Sequence, residues 1–231
     1  MKKIGLLLLA AAAGLGFVGC TDSKADQPSR MSFVTVHVWS ADDYYFETDT
    51  EKRVWPSDKH RVPGYVAKEG QRALIAFNIL DTPVPNFDYN VALYDIANIY
   101  TSAAQVVTDE AELEALKDES VEFRGGRLQG RWSTMVIRFW ANDVSKHKFS
   151  LIVNEAEPAT GGDENYLDVE LRHDSNGDAA QGMVYETYVS FDMIDLGSLL
   201  AGKKGIRVRC KNGYDIEYVK IDRAAAEPQS L

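Results

Sequence analysis

The sequence predicts a mostly β protein of two consecutive modules behind an N-terminal processing segment, and three observations carry that prediction. Apolar residues recur with a period of two from Ser32 to Asp222. One capped, acidic segment interrupts them at 109–120, and an apolar run near the N-terminus ends at a cysteine. The 231 residues are 45% hydrophobic and 26% charged, which excludes wholesale disorder, a coiled coil and a collagen-like fibre. A formal charge of -10 excludes nucleic acid as a partner, because phosphate backbones demand a basic surface.

The elements follow in chain order. Lys2 and Lys3 form a basic start to the apolar stretch Ile4 to Val18, which is shorter than the about 20 residues a membrane-spanning helix needs. It ends in Phe17-Val18-Gly19-Cys20 before polar Thr21-Asp22-Ser23-Lys24. Residues 1–19 are similar to a bacterial lipoprotein signal peptide, which implies diacylglycerol on Cys20; the alternative is a plain secretory peptide that happens to contain Cys20. Each buried CH₂ contributes about 0.8 kcal/mol, so several acyl chains on Cys20 would hold the chain on a membrane without help from charge. Removing residues 1–19 takes away two lysines and no acid, and the formal charge becomes -12. Residues 20–31 are polar, contain Pro28 and lack periodicity, as a lipidated tether does. The expected location is the cell envelope at the outer membrane, with the periplasmic or surface side left open.

Val34, Val36 and Val38 alternate with Thr35, His37 and Trp39, the pattern of a half-buried strand. Similar alternation marks 43–48, 72–80, 89–100, 132–141, 148–154, 166–173, 184–192, 206–211 and 214–221. Asn212-Gly213 between two such runs signals a hairpin with a type I′ turn. Asp109 can cap a helix, with Glu112 at capping-box spacing and Leu113 and Leu116 as its apolar edge. This segment, 109–118, reads as an exposed linker helix that a protease would cut, dividing a module at 32–108 from one at 119–223 and a tail at 224–231.

Strings across both halves resemble the NigD-like family of bacterial envelope lipoproteins. In the first half they are Tyr45-Phe46, Arg53-Val54-Trp55-Pro56, Gly70-Gln71-Arg72, Phe77-Asn78-Ile79-Leu80-Asp81 and Ile99-Tyr100. The second half offers 135–139, 147–153, Leu171-Arg172-His173, Gly177-Asp178 and Val189-Ser190-Phe191-Asp192. The resemblance implies an N-terminal OB-like β barrel followed by a C-terminal β sandwich. It implies no activity, ligand or catalytic residue. The loop 155–165 and the tail after Arg223 depart from the pattern.

Chemistry-bearing residues form no motif of an enzyme. Histidines stand singly at 37, 60, 147 and 173, with neither an HExxH helix nor a GxSxG elbow. Asp174, Asn176 and Asp178 alternate as in a calcium loop, but the glycine and the twelfth-position glutamate are misplaced, and a tight turn explains them better. Asp163, Glu164, Asp168 and Glu170 invite a glycosidase reading that their spacing does not support. Cys210 alternates with Ile206 and Val208 and reads as a buried strand residue. Aromatic residues concentrate in the first module, where OB-like barrels bind ligands. Tyr44, Tyr45, Trp55 and Tyr65 are the candidates for a partner-binding platform. The expectation is a non-catalytic, lipid-anchored module without cofactor or metal that binds an envelope or extracellular protein or glycan. The alternative is an envelope hydrolase acting on glycans.

Overall fold

The computed structural model describes residues 27–40, 43–178 and 182–225. The signal peptide, Cys20, most of the tether and the last residues of the tail lie outside the described residues.

The first module is a closed five-stranded barrel. Its strands are β1 (Arg30–Val38), β2 (Tyr44–Thr48), β3 (Arg53–Asp58), β4 (Arg72–Ile79) and β5 (Tyr89–Asn98), in the order β1-β2-β3-β5-β4, with β4 closing against β1. Alternation sends Val34, Val36, Phe46, Val54, Ile75, Phe77, Val91 and Leu93 to the interior. Strand β3 does not follow from the sequence pattern because it contains Pro56, which cannot donate to a ladder. The structure accommodates Pro56 at a bulge between Pro56 and Asp58, where β3 runs parallel to β5.

The second module is a sandwich. Its strands are β6 (Tyr100–Ala103), β7 (Gln105–Val107), β8 (Glu122–Gln129), β9 (Trp132–Ala141), β10 (Lys148–Asn154), β11 (Tyr166–Asp174), β12 (Met183–Asp192), β13 (Gly205–Asn212) and β14 (Asp215–Asp222). One sheet has the order β14-β13-β11-β10-β7 and the other β6-β12-β9-β8. Met135, Ile137, Phe139, Leu151, Leu171, Phe191 and Val208 fill the space between them. Strand β8 was not anticipated either: its Gly125-Gly126 pair erases the alternation. A Cβ on Gly126 would lie 2.8 Å from Ile221 Cδ1, so that side-chain tip would have to shift to admit it.

Three expectations are corrected. The modules divide between Ile99 and Tyr100 rather than across 109–118. Residues 100–107, expected in the first module, pair as β6 with β12 and as β7 with β10, switching sheets at buried Ala104. The helix α1 (Glu110–Ala115) is capped as expected, Asp109 Oδ1 accepting from the backbone N–H groups of Ala111 and Glu112 at 2.9 and 3.1 Å. It is no free linker, however, because Leu113 packs with Val107 and Ile152 of the sandwich. At the hairpin, Asn212 pairs with Asp215, so the turn is Gly213-Tyr214. Only Gly213, at φ 64°, has a positive φ, which is the pattern of a type II′ turn rather than type I′.

Candidate functional site

Strand β2 alternates strictly: Tyr44 and Phe46 point into the barrel, Tyr45 and Glu47 outward. Register places His37 opposite Tyr45 and Arg53 opposite Glu47, so the outward side chains of β1, β2 and β3 share one face. Trp39 of that face lies 5.3 Å from Tyr45 and 5.5 Å from Trp55 between ring centroids. Phe87, from the loop before β5, closes the cluster at 5.7 Å from Trp39, 5.5 Å from Tyr45 and 5.0 Å from Trp55. Asn86 beside it adopts φ 68°, a left-handed conformation that asparagine tolerates better than most residues. The Arg53 guanidinium lies 4.8 Å over Tyr45 and 5.1 Å over Phe87. Each such contact contributes about 0.5 to 1.5 kcal/mol, so the rings hold one another in place. Trp39 nevertheless remains 59% exposed.

Carboxylates border this aromatic face. Glu69 Oε2 accepts from Val38 N at 2.7 Å and Oε1 meets His37 Nδ1 at 2.9 Å, the His37 ring being stacked on Tyr45. Asp88 accepts from Arg53 N at 2.8 Å and from Lys52 Nζ at 3.0 Å. The Val38 and Arg53 amides, more than the neighbouring side chains, hold Glu69 and Asp88 below the usual carboxylate range.

The sandwich contains a different polar group, buried and internal. His173 Nδ1 donates to Ser120 O at 2.9 Å, and His173 Nε2 meets His147 Nδ1 at 2.8 Å. His147 Nε2 faces Asp178 Oδ2 at 3.2 Å, and the two imidazoles stack at 5.0 Å. Asp178 also accepts from the backbone N–H groups of Asn142 and Asp143 at 2.6 and 2.9 Å, which hold its carboxyl well below the usual range. Burial pushes His173 below the ordinary imidazole value, reinforced by His147 and opposed by the Ser120 hydrogen bond, Glu119 and Asp174. The histidines at 147 and 173, read singly from the sequence, are thus partners.

Residues 33–99 match the NigD-like N-terminal OB domain, and residues 106–223 match the NigD-like C-terminal beta sandwich domain. The chain belongs to the NigD-like family. No curated protein matches it. Among solved structures it is similar to a protein of unknown function from Bacteroides vulgatus, 20% identical with a TM-score of 0.68 over 84% of this chain and 90% of that one. A NigD-like immunity protein from Bacteroides caccae is 18% identical, with a TM-score of 0.59 over 84% and 92% of the two chains. A candidate lipoprotein from Bacteroides fragilis is 13% identical, with a TM-score of 0.62 over 86% and 99%. At these identities the likeness is one of fold.

Within this NigD-like barrel the four aromatic candidates separate. Tyr45 and Trp55 belong to the outer face. Tyr44 is 5% exposed and packs edge-on at 5.5 Å against both Phe46 and Tyr65, inside the barrel. Tyr65 donates its hydroxyl to Asn98 Oδ1 at 2.9 Å, and burial pushes its pKa up to about 12. Two further members, Trp39 and Phe87, were missed. Trp39 keeps the parity of His37 on β1, a signal that could have found it; Phe87 lies outside any strand, where periodicity is silent.

The remaining candidates take structural places. Cys210 is buried, and burial pushes its thiol up, away from nucleophilic reactivity. Asp174 Oδ1 accepts from Asn176 N at 2.7 Å, while Asn176 and Gly177 form a turn at φ 48° and 76°. Among the described residues no group of three or more His, Cys, Asp or Glu is placed to hold a metal ion. Asp163 meets Lys220 at 2.6 Å, Asp168 accepts from Arg207 Nη2 at 3.1 Å, and Glu170 accepts from Arg172 Nε at 2.7 Å. The Lys220 and Asn165 contacts lower the Asp163 pKa, opposite to the rise a glycosidase acid requires.

Proposed function

We propose that this NigD-like protein is a non-catalytic, lipid-anchored module of the cell envelope that holds a protein or glycan partner on the outer face of its barrel. The observation that carries the reading is the contiguous ring cluster of Trp39, Tyr45, Trp55 and Phe87, built on a closed barrel and topped by a 59% exposed indole. Rings fixed by mutual packing lose little freedom when a partner arrives. The occupied carboxylates of the sandwich support a binding role over the hydrolase alternative.

Acyl chains on Cys20 would place the module at the outer membrane, on a side the sequence leaves open. The motif before Cys20 supports this anchor, as does the fold shared with a candidate lipoprotein. Expressed in an envelope-bearing host, the full chain should fractionate with membranes and Cys20→Ser should release it; retention of Cys20→Ser would refute the anchor. Crosslinking of the full chain in its own envelope should give an adduct that Trp39→Ala weakens. An adduct insensitive to Trp39→Ala and Tyr45→Ala would remove the barrel face from the reading. Glycan hydrolysis abolished by Asp168→Asn or Glu170→Gln would replace the module with a hydrolase.

A further inference from the structure

We infer that the outer barrel face is a binding surface for a neutral glycan chain. The inference rests on the reading of that face as the binding face and adds the chemistry of its ligand. A pyranose offers a flat C–H face rimmed by hydroxyl groups, so its complement is an aromatic surface interspersed with hydrogen-bonding groups that stay wet. Register and ring contacts put such a surface on the page. His37 of β1, Trp39 just beyond its end, Tyr45 and Glu47 of β2, and Arg53 and Trp55 of β3 share this face, and no aliphatic side chain occurs among them.

The placement of charge separates a glycan from a protein partner. Contact centres between proteins are rich in Arg but depleted of Glu and Asp, because a dry partner strips water from a carboxylate without replacing its hydrogen bonds. Here Arg53 lies over Tyr45 and Phe87, within the cluster, and Glu47 stands directly across from it. Among the described residues neither side chain has an ion-pair partner. Their donors and acceptors are therefore open to hydroxyl groups, which substitute for water at both. Strand addition is not available on this module, since β4 closes the sheet onto β1.

Charge also selects among glycans. The face and its border carry Glu47, Glu69 and Asp88 against Lys52 and Arg53, on a chain of formal charge -10. A polyanionic chain meets a repulsive field there, whereas a neutral one does not.

The test is native gel electrophoresis of the full-length protein in a non-ionic detergent, in gels containing a neutral polymer (mannan, xylan or a mixed-linkage glucan) or a polyanion (polygalacturonate or heparin). At least one neutral polymer should retard the protein. Trp39→Ala should weaken that retardation about threefold to tenfold, the equivalent of one lost ring contact. Tyr214→Ala, which removes a fully exposed ring from the sandwich, should leave it unchanged. Retardation by polyanions alone, or by no neutral polymer, overturns the glycan inference. If the envelope crosslink is still weakened by Trp39→Ala, the binding face then survives with a protein on it; if the crosslink is insensitive, both readings fall.

Discussion

In the barrel, Arg72 is wholly buried, with Nη2 2.6 Å from Asp49 Oδ1 and Nη1 donating to Thr35 Oγ1 at 3.2 Å. In the sandwich, His147, His173 and Asp178 are as deeply placed, but their hydrogen bonds run through two imidazoles to backbone groups at Ser120, Asn142 and Asp143. The first module encloses a pair of opposite charges whose cation never titrates near neutrality. The second joins a carboxylate to two imidazoles, whose ring nitrogens can donate as well as accept hydrogen bonds. A buried ion pair gives up its hydration for one strong contact and is costly to break. A chain of hydrogen bonds ending on backbone distributes the same burden over several strands and loops.

The largest effect should come from breaking the barrel pair. Asp49→Ala leaves the Arg72 charge buried without its carboxylate, and should destabilise the barrel by about 3 to 5 kcal/mol. Denaturant unfolding followed by peptide-resolved hydrogen exchange would show the loss in β1, β2 and β4 and not in β10 and β11. Equal loss in both modules would end the contrast.

Asp178→Asn should cost the sandwich less, about 1 to 3 kcal/mol, because the amide oxygen still accepts one backbone N–H while the charge-assisted bonds are lost. Exchange protection should fall first at the amides of Asn142 and Asp143.

A smaller effect distinguishes the modules by pH. His173 has a folded pKa below its unfolded value near 6.5, so the unfolded state binds more protons in that window. Its stabilising contribution is complete above that value and declines as the pH falls below it. The sandwich melting temperature should therefore drop between pH 7.5 and 5.5, and His173→Gln should flatten that slope while leaving the barrel profile unchanged. A slope unaltered by His173→Gln would assign the dependence to other groups.

The smallest effect on stability is expected at the proposed binding face. Trp39→Ala removes a side chain that touches three rings but is 59% exposed, and should shift unfolding by about 1 kcal/mol. A much larger shift would mean that the cluster serves the fold of the barrel before any partner.

Much of the fold was legible because a strand sends successive side chains to opposite faces, a property written into adjacent residues. That rule identified β1, β2, β4, β5 and most sandwich strands. It failed where the backbone carried the message instead: at β3, which holds Pro56 in a bulge, and at β8, where Gly126 lets Ile221 approach. It also misplaced the boundary. Residues 100–107 are β only by pairing with Val189 to Asp192 and Ile152 to Asn154, which lie far along the chain.

The aromatic face divides in the same way. Alternation by itself required Tyr44 and Tyr45 to lie on opposite sides of the barrel wall. Which of them faced out depended on the packing of Phe46 against Val34 and Val36, and so on the β1–β2 register. Likewise the sequence alone placed His173 at the end of a strand and His147 just before another. Their contact was decided by the antiparallel register that sets Phe149 opposite His173, and Phe87 joined the rings only because its loop returns to the barrel beside Trp55. Side-chain direction along one strand is a local consequence of backbone geometry. Which side chains meet depends on the closure of distant segments around a core, a property of the whole chain rather than of any segment of it.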